Sequence, residues 1–302
     1  MKRSIFAVSL LCFCIFLCFK SFASSDIKKP NVAGQFYPAD KTILGQTIEE
    51  FLAKANPPKI KGDILCLIEP HAGYDFSGPT AAFGYKTIQG RQYKTVVVIG
   101  PAHFFAFDGI SVYSQGKFRT PLGDLDIDSD FAAKLIDPEV NSSFIPQAFE
   151  KEHSVEVQLP FLQKVLSNFK IVPVIIGDTE LPTLESFANN LVKAIGKRKD
   201  VLIVVSTDLC HSYDFEFTEK TDSVTLAALR HMSGEEIYSE LREGRVQMCG
   251  GFPAVTALLV SKMLGFNNVQ ILSATNTASV TGQKAKGLWT VGYSSGVISN
   301  AN

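Results

Sequence analysis

The sequence predicts an α/β protein, a single domain whose mixed, largely parallel sheet is flanked by helices. Three observations lead there. Aliphatic and β-branched runs recur at 64–68, 95–99, 109–113, 170–176, 201–205, 268–273 and 288–293, several of them apolar at every position. Such continuous runs mark strands buried on both faces, as parallel strands are. Stretches with apolar residues at helical spacing lie between them. Finally, four of the five histidines sit where an apolar run stops, in loops bearing Gly, Pro or an acid. Open α/β sheets place ligands just beyond the carboxyl ends of their strands, so these imidazoles are positioned to converge.

Each element follows from its residues. Asp40 is suited to cap a helix whose apolar stripe is Ile43, Leu44, Ile48, Phe51 and Leu52. Strand 64–68 runs into Glu69-Pro-His71, and strand 95–99 into Gly100-Pro-Ala-His103. Val155, Leu159, Leu162 and Val165 form a helical stripe in which Pro160 must fall in the first turn or make a kink. After strand 170–176, Leu184, Phe187, Leu191 and Ile195 form another stripe, ended by Gly196. Strand 201–205 runs into Ser206-Thr-Asp-Leu-Cys-His211. His231 falls on an amphipathic helix, at the surface and without a role. A helix from Pro253, near its first position, to Leu264 should end at Gly265.

The N-terminus combines Met1-Lys-Arg3, an apolar stretch from Ser4 to Phe19, and small residues at Ser21 and Ala23. That pattern reads as a secretory signal over residues 1–23, with the folded domain over 30–298. The apolar stretch is shorter than the ~20 residues a spanning helix needs, so membrane anchoring is expected only if the segment stays uncleaved. An exported protein, periplasmic or extracellular, is therefore expected. Without residues 1–23 the chain has 26 basic and 30 acidic residues, because Lys2, Arg3 and Lys20 leave from 29 basic. No basic run is interleaved with aromatics, which argues against a nucleic-acid partner. The remaining cysteines, Cys66, Cys210 and Cys249, are too few and too widely spaced for a disulfide framework. Nothing identifies an apolar dimer surface.

The chemistry concentrates in the loops. Imidazole and thiolate suit iron, copper or zinc, whereas calcium or magnesium would demand oxygen-rich clusters. His71 and His103 are the best metal-ligand candidates, since each ends a strand. Cys249 precedes the 253–264 helix, whose dipole is expected to lower the thiol pKa. It is open to three uses: metal ligand, nucleophile or inert thiol. Asp208 and His211 place an acid and an imidazole three residues apart, with a hydrogen bond between them expected. His153, between Glu152 and Glu156, is either a proton shuttle oriented by a carboxylate or a helix-start residue.

Six segments in order resemble the MEMO family, the AmmeMemoRadiSam protein B group. They are Val32-Ala-Gly-Gln-Phe-Tyr-Pro38, Pro70-His-Ala-Gly-Tyr-Asp-Phe-Ser-Gly78, Gly100-Pro-Ala-His103, Glu152-His-Ser-Val-Glu156, Ser206-Thr-Asp-Leu-Cys-His211 and Met248-Cys-Gly-Gly-Phe-Pro253. The resemblance implies the fold of class III extradiol dioxygenases of the protocatechuate 4,5-dioxygenase type. It also implies a metal held by His71, His103 and Cys249, the cysteine replacing the carboxylate that those enzymes use. Asp208 and His211 would line the pocket as catalytic residues, with His153 a further candidate. Fe(II) is the expected ion, with copper or zinc as alternatives. This chain departs from the family pattern Cys-Gly-x-His-Pro, having Phe252 at the histidine, and from the family's mostly cytoplasmic location.

Three functional readings follow. The first is an exported metalloprotein with a dioxygenase-like iron or copper site and metal-dependent redox or O2 chemistry on an unknown substrate. Tyr74, Phe76, Phe104, Phe105 and Phe252 would suit an aromatic or peptide ligand. The second is a non-catalytic module that binds a peptide or a metal in the same pocket. The third and weakest is a hydrolase with Cys249 as nucleophile, His211 as base and Asp208 as orienter.

Overall fold

A computed structural model describes residues 27–300 of the 302-residue chain; the expected signal segment lies outside the described residues. In chain order, the N-terminal part comprises β1 (Ile27–Lys28), α1 (Lys41–Lys54), β2 (Ile64–Glu69), α2 (Tyr74–Ile88), β3 (Thr95–Pro101) and β4 (Ile110–Val112). β5 (Lys117–Thr120), β6 (Gly123–Asp126), α3 (Ser129–Ala133), β7 (Ser142–Ser143), α4 (Gln147–Glu150) and α5 (Leu159–Val165) follow. Next come β8 (Lys170–Ile176), α6 (Leu181–Ile195), β9 (Val201–Ser206), β10 (His211–Ser212), α7 (Phe215–His231) and α8 (Gly234–Arg242). α9 (Gly251–Leu264), β11 (Asn268–Asn276), α10 (Thr277–Thr281) and β12 (Thr290–Ser299) complete the chain.

The main sheet has the order β10-β12-β2-β9-β3-β8-β4-β7, with β11 paired to β12. Its centre, β2-β9-β3-β8, is parallel, and antiparallel β12 and β4 flank it. The four central strands therefore end on one edge, at Glu69, Ser206, Pro101 and Ile176. Alternate strand residues supply two cores. Ile68, Val97, Ile99, Val174 and Ile203 pack with α6, α8 and α9, while Leu67, Val96, Val98, Ile175 and Val204 pack with α1, α2 and α5. A helix-covered mixed sheet, parallel at its centre, is thus the observed architecture.

Local signals account for most elements. Asp40 Oδ1 accepts the Thr42 and Ile43 N–H groups at 2.8 and 2.9 Å and starts α1. Pro160 falls in the first turn of α5, preceded by a 3-10 turn over Glu156–Gln158. α9 ends at left-handed Gly265 as expected, but it starts at Gly251, two residues before Pro253. β12 runs past position 293 to Ser299 because Ser294, Ser295 and Gly296 are buried strand residues rather than a turn.

The composition of α2 hides a helix, since Gly78, Pro79 and Gly84 lie inside it. Tertiary packing overrides that propensity. A side chain at Gly78 would strike the Phe51 ring, and one at Gly84 would strike the Glu69 carboxyl. Glu69 is fully buried, accepts from Ser295 Oγ at 3.1 Å, and burial raises its pKa well above the ordinary range. Gly84→Ala should therefore destabilise the protein by about 2 kcal/mol through overpacking. Gly45→Ala, on α1 with only Lys164 Nζ at 3.9 Å, should instead stabilise by about 0.5–1 kcal/mol. Urea unfolding of both variants measures the contrast.

Candidate metal centre

β2 delivers His71 to the carboxyl edge of the sheet, where it is buried. Its Nδ1 lies 2.9 Å from Ser206 Oγ. That hydroxyl has one proton, which it donates to the Ser154 carbonyl at 2.5 Å. It also accepts from Gln158 Nε2 at 2.7 Å, an amide oriented by the Pro70 carbonyl at 3.0 Å and by Tyr85 Oη, which donates to Oε1 at 2.7 Å. His71 Nδ1 must then be the donor to Ser206, which leaves Nε2 unprotonated and able to accept.

β3 delivers His103, whose Nδ1 faces Glu152 Oε1 at 2.9 Å and whose backbone N–H donates to Oε2 at 2.6 Å. The backbone N–H groups of His153 and Ser154 donate to Oε1 as well, each at 2.9 Å. Burial alone would raise the Glu152 carboxyl, but these bonds and His103 bring it down to about 2. An ionised carboxylate only accepts, so His103 also carries its proton on Nδ1. A carboxylate holding the outer nitrogen of an imidazole is the usual support of a metal-binding histidine. The segment carrying Glu152 comes close because Gly100 has no side chain to meet Ser154.

His153 completes the group. Among the described residues, His71, His103 and His153 offer donor atoms that all lie within 4.8 Å of one another. Their ring centroids are 5.0–5.6 Å apart. Burial, then the neighbouring imidazoles, holds His71 far below the ordinary histidine value. Burial, with His103 adding and Glu152 opposing, takes His153 down to about 4. The two imidazoles that resist protonation, His71 and His153, fit a cation with nitrogen preference. His153 Nδ1 is buried and hydrogen-bonds to nothing, with Glu152 Oε1 at 3.5 Å.

Cys249 adjoins this group through His71, its Sγ 3.2 Å from Nε2. The Asp208 N–H donates to Sγ at 3.1 Å, and the Cys249 N–H donates to the Asp208 carbonyl at 3.1 Å. The expected lowering of the thiol pKa is overturned. Burial and the Asp208 charge outweigh the start of α9 and hold the thiol well above its ordinary value. Cys66, Cys210 and Cys249 are all free.

Asp208 is buried, and burial pushes its carboxyl up to about 7 although the His71 and Ala72 N–H groups oppose the rise. Its role is to hold the loop bearing His71. The hydrogen bond expected between Asp208 and His211 is not formed. His211 instead lies at the solvent edge on β10, within electrostatic reach of His71 and His103 and 5.9 Å from the Trp289 ring. His231 is exposed, as expected.

The aromatic residues divide. Tyr74 is core, with its hydroxyl on the Val157 carbonyl, and Phe252 lies beside Tyr238 and Arg242. Phe76, Phe104 and Phe105 are exposed, and Phe104 reaches His153 at 5.7 Å. Sequence reasoning missed Ser206 and Gln158 and took Glu152 only as a partner of His153. Glu156, the other carboxylate considered for His153, instead accepts from Asn31 N, Val32 N and Tyr37 Oη at 2.6–2.9 Å. Those bonds bring Phe36 to within 4.9 Å of the His153 ring.

Known proteins resemble this sequence over most of its length. A family model described as Memo-like protein matches residues 28–297. A MEMO1 family protein of Methanobrevibacter smithii is 35% identical over 284 residues, covering 90% of this chain and 99% of the relative. MEMO1 family proteins of Nitrosopumilus maritimus and Thermotoga maritima are each 34% identical, over 88% and 90% of this chain and 98% and 99% of their own lengths. The chain belongs to the Memo family, whose fold is dioxygenase-like.

Because Glu152 orients His103 without belonging to the histidine group, Glu152→Gln should weaken metal affinity about 10- to 100-fold. Competition with a chromophoric chelator measures it.

Proposed function

We propose that this protein binds one transition-metal ion between His71, His103 and His153, with Cys249 as an additional donor beside His71. The observation that carries the reading is the set of three imidazoles with mutually facing donor atoms within 4.8 Å. Fe(II) is the ion we assign, with copper and zinc as the alternatives that suit imidazole and thiolate. When bound, such an ion supplies a redox-active or Lewis-acidic centre for O2 or redox chemistry on a small molecule or peptide. The chain's own residues do the rest. Glu152 and Ser206 hold two rings in one tautomer, Asp208 holds the His71 loop, and solvent-edge His211 is placed to take or give a proton.

A module that carries metal without catalysis has support in the lack of any Asp208 partner for His211. The hydrolase reading has the weakest support, since the neighbour of Cys249 is His71 and burial disfavours its thiolate. We also propose export, with residues 1–23 as a cleaved signal. No helix among the described residues is long and apolar enough to cross a membrane.

Elemental analysis of anaerobically purified protein should find about one ion per chain, lost in His71→Ala and His103→Ala and reduced in Cys249→Ala. Cys249→Asp should retain part of the iron, because a carboxylate replaces the thiolate with the anionic oxygen donor that non-haem iron sites use. Full occupancy in Cys249→Ala would remove the cysteine from the site. His211→Ala should keep its metal while altering O2 uptake; loss of metal there would make His211 a ligand. N-terminal sequencing of protein from its native host should begin after Ala23, and a Met1 start in the membrane fraction would refute export.

A further inference from the structure

β1 pairs in parallel with β5, with Lys28 opposite Phe118. Paired positions share a face of the sheet, so Lys28 stands on the side where Phe118 packs into a group of rings. Phe118 lies 4.8 Å from Tyr113, and Tyr113 lies 5.0 and 5.1 Å from Phe144 and Phe149, all edge-on. Against these rings the N-terminal segment encloses a cavity of about 420 Å³. Tyr113, Phe144 and Phe149 supply its aromatic wall, and Lys28 and Asn31 line it from the segment. Asn31 is held in place, its side chain donating to the Glu152 carbonyl at 2.9 Å and its backbone N–H to Glu156 Oε2 at 2.6 Å. The segment is thus anchored on either side of Lys28.

Lys28 lacks a counterion. It is half-buried, and its ammonium donates to the Lys29 carbonyl at 2.8 Å. An ammonium has three donors, so two are left over. Among the described residues no carboxylate forms an ion pair with it. Glu156 acts on it only from a distance, because its carboxylate is taken by Asn31, Val32 and Tyr37. Burial accordingly lowers the Lys28 pKa, with Glu156 opposing. A cation withdrawn from water is costly unless it is paired. The other charged groups lining the cavity, Lys29 and Glu150, are both exposed and of opposite sign, which leaves Lys28 to set the charge within. A cleft of a few hundred Å³ with apolar rings and few polar groups has the make-up of a small-molecule site.

We propose that this cavity binds a small organic carboxylate, with its charge on the Lys28 ammonium and its apolar body against Phe144 and Phe149. An ammonium is a compact point charge suited to a single carboxylate, and the rings reward an apolar body by burying it. None of the three histidines lines the cavity, so the site is separate from the metal centre and independent of that reading.

Hexanoate, acetate and hexylamine test it by calorimetry on the purified protein. Hexanoate should bind about tenfold or more tightly than acetate, which lacks the apolar chain, and hexylamine should not bind. Lys28→Met should weaken hexanoate about tenfold or more, whereas Lys28→Arg should keep most of the affinity. Phe144→Ala should bring hexanoate toward acetate. His71→Ala should bind hexanoate as the unaltered protein does, and loss of binding there would put the carboxylate on the histidine group and overturn the site. Hexanoate affinity unchanged in Lys28→Met, hexylamine binding as well as hexanoate, or no binding at millimolar hexanoate overturns it too.

Discussion

The site depends on one constraint: Ser206 has a single hydroxyl proton, and the Ser154 carbonyl takes it. With Gln158 donating to the same oxygen, His71 has no choice but to donate from Nδ1 and leave Nε2, which faces Cys249 Sγ, as an acceptor. Reversing that tautomer would leave buried groups unpaired, at about 1–3 kcal/mol each. The chain of bonds joins the end of β9, the turn before α5, Tyr85 on α2 and the end of β2. Ring orientation at the sheet edge is thus set by how α2 and α5 pack on the sheet, and the site cannot be separated from the fold.

The segment from Glu152 to Gln158 concentrates this dependence. Glu152 meets His103 and two further backbone N–H groups, Glu156 meets the N-terminal segment, and Gln158 meets Ser206. Buried carboxylates persist where donors replace lost water, and Glu152 has several. Glu69 shows the opposite case: with one oxygen accepting from Ser295 and the other unpartnered, burial favours its neutral form. Two buried glutamates near one sheet edge are therefore shifted in opposite directions, decided by their donors.

Much of the framework was legible because strand burial and helix amphipathicity are properties of short windows. The central strands ended within a residue or two of their apolar runs, and the caps at Asp40, Gly196 and Gly265 worked locally. α2 was not legible, because its glycines make room for Phe51 and Glu69, which belong to other segments. The hairpin of β5 and β6 escaped because its residues are mostly polar, and the extension of β12 through Ser294 to Ser299 because its partner β2 is distant in sequence. The thiol of Cys249 was misjudged because proximity to a helix start is visible in sequence, whereas the burial that outweighs it is not.

By itself, the sequence determined that His71 and His103 each follow the end of a strand and that Cys249 stands before a helix, since each statement concerns residues adjacent in the chain. Only the tertiary structure decided that His153 joins them within 4.8 Å, that Glu152 serves His103 first, and that Asp208 turns to the His71 backbone rather than to His211. Those choices are hydrogen bonds between groups far apart in sequence. They are settled by which buried donors and acceptors the packed layers leave within reach of one another.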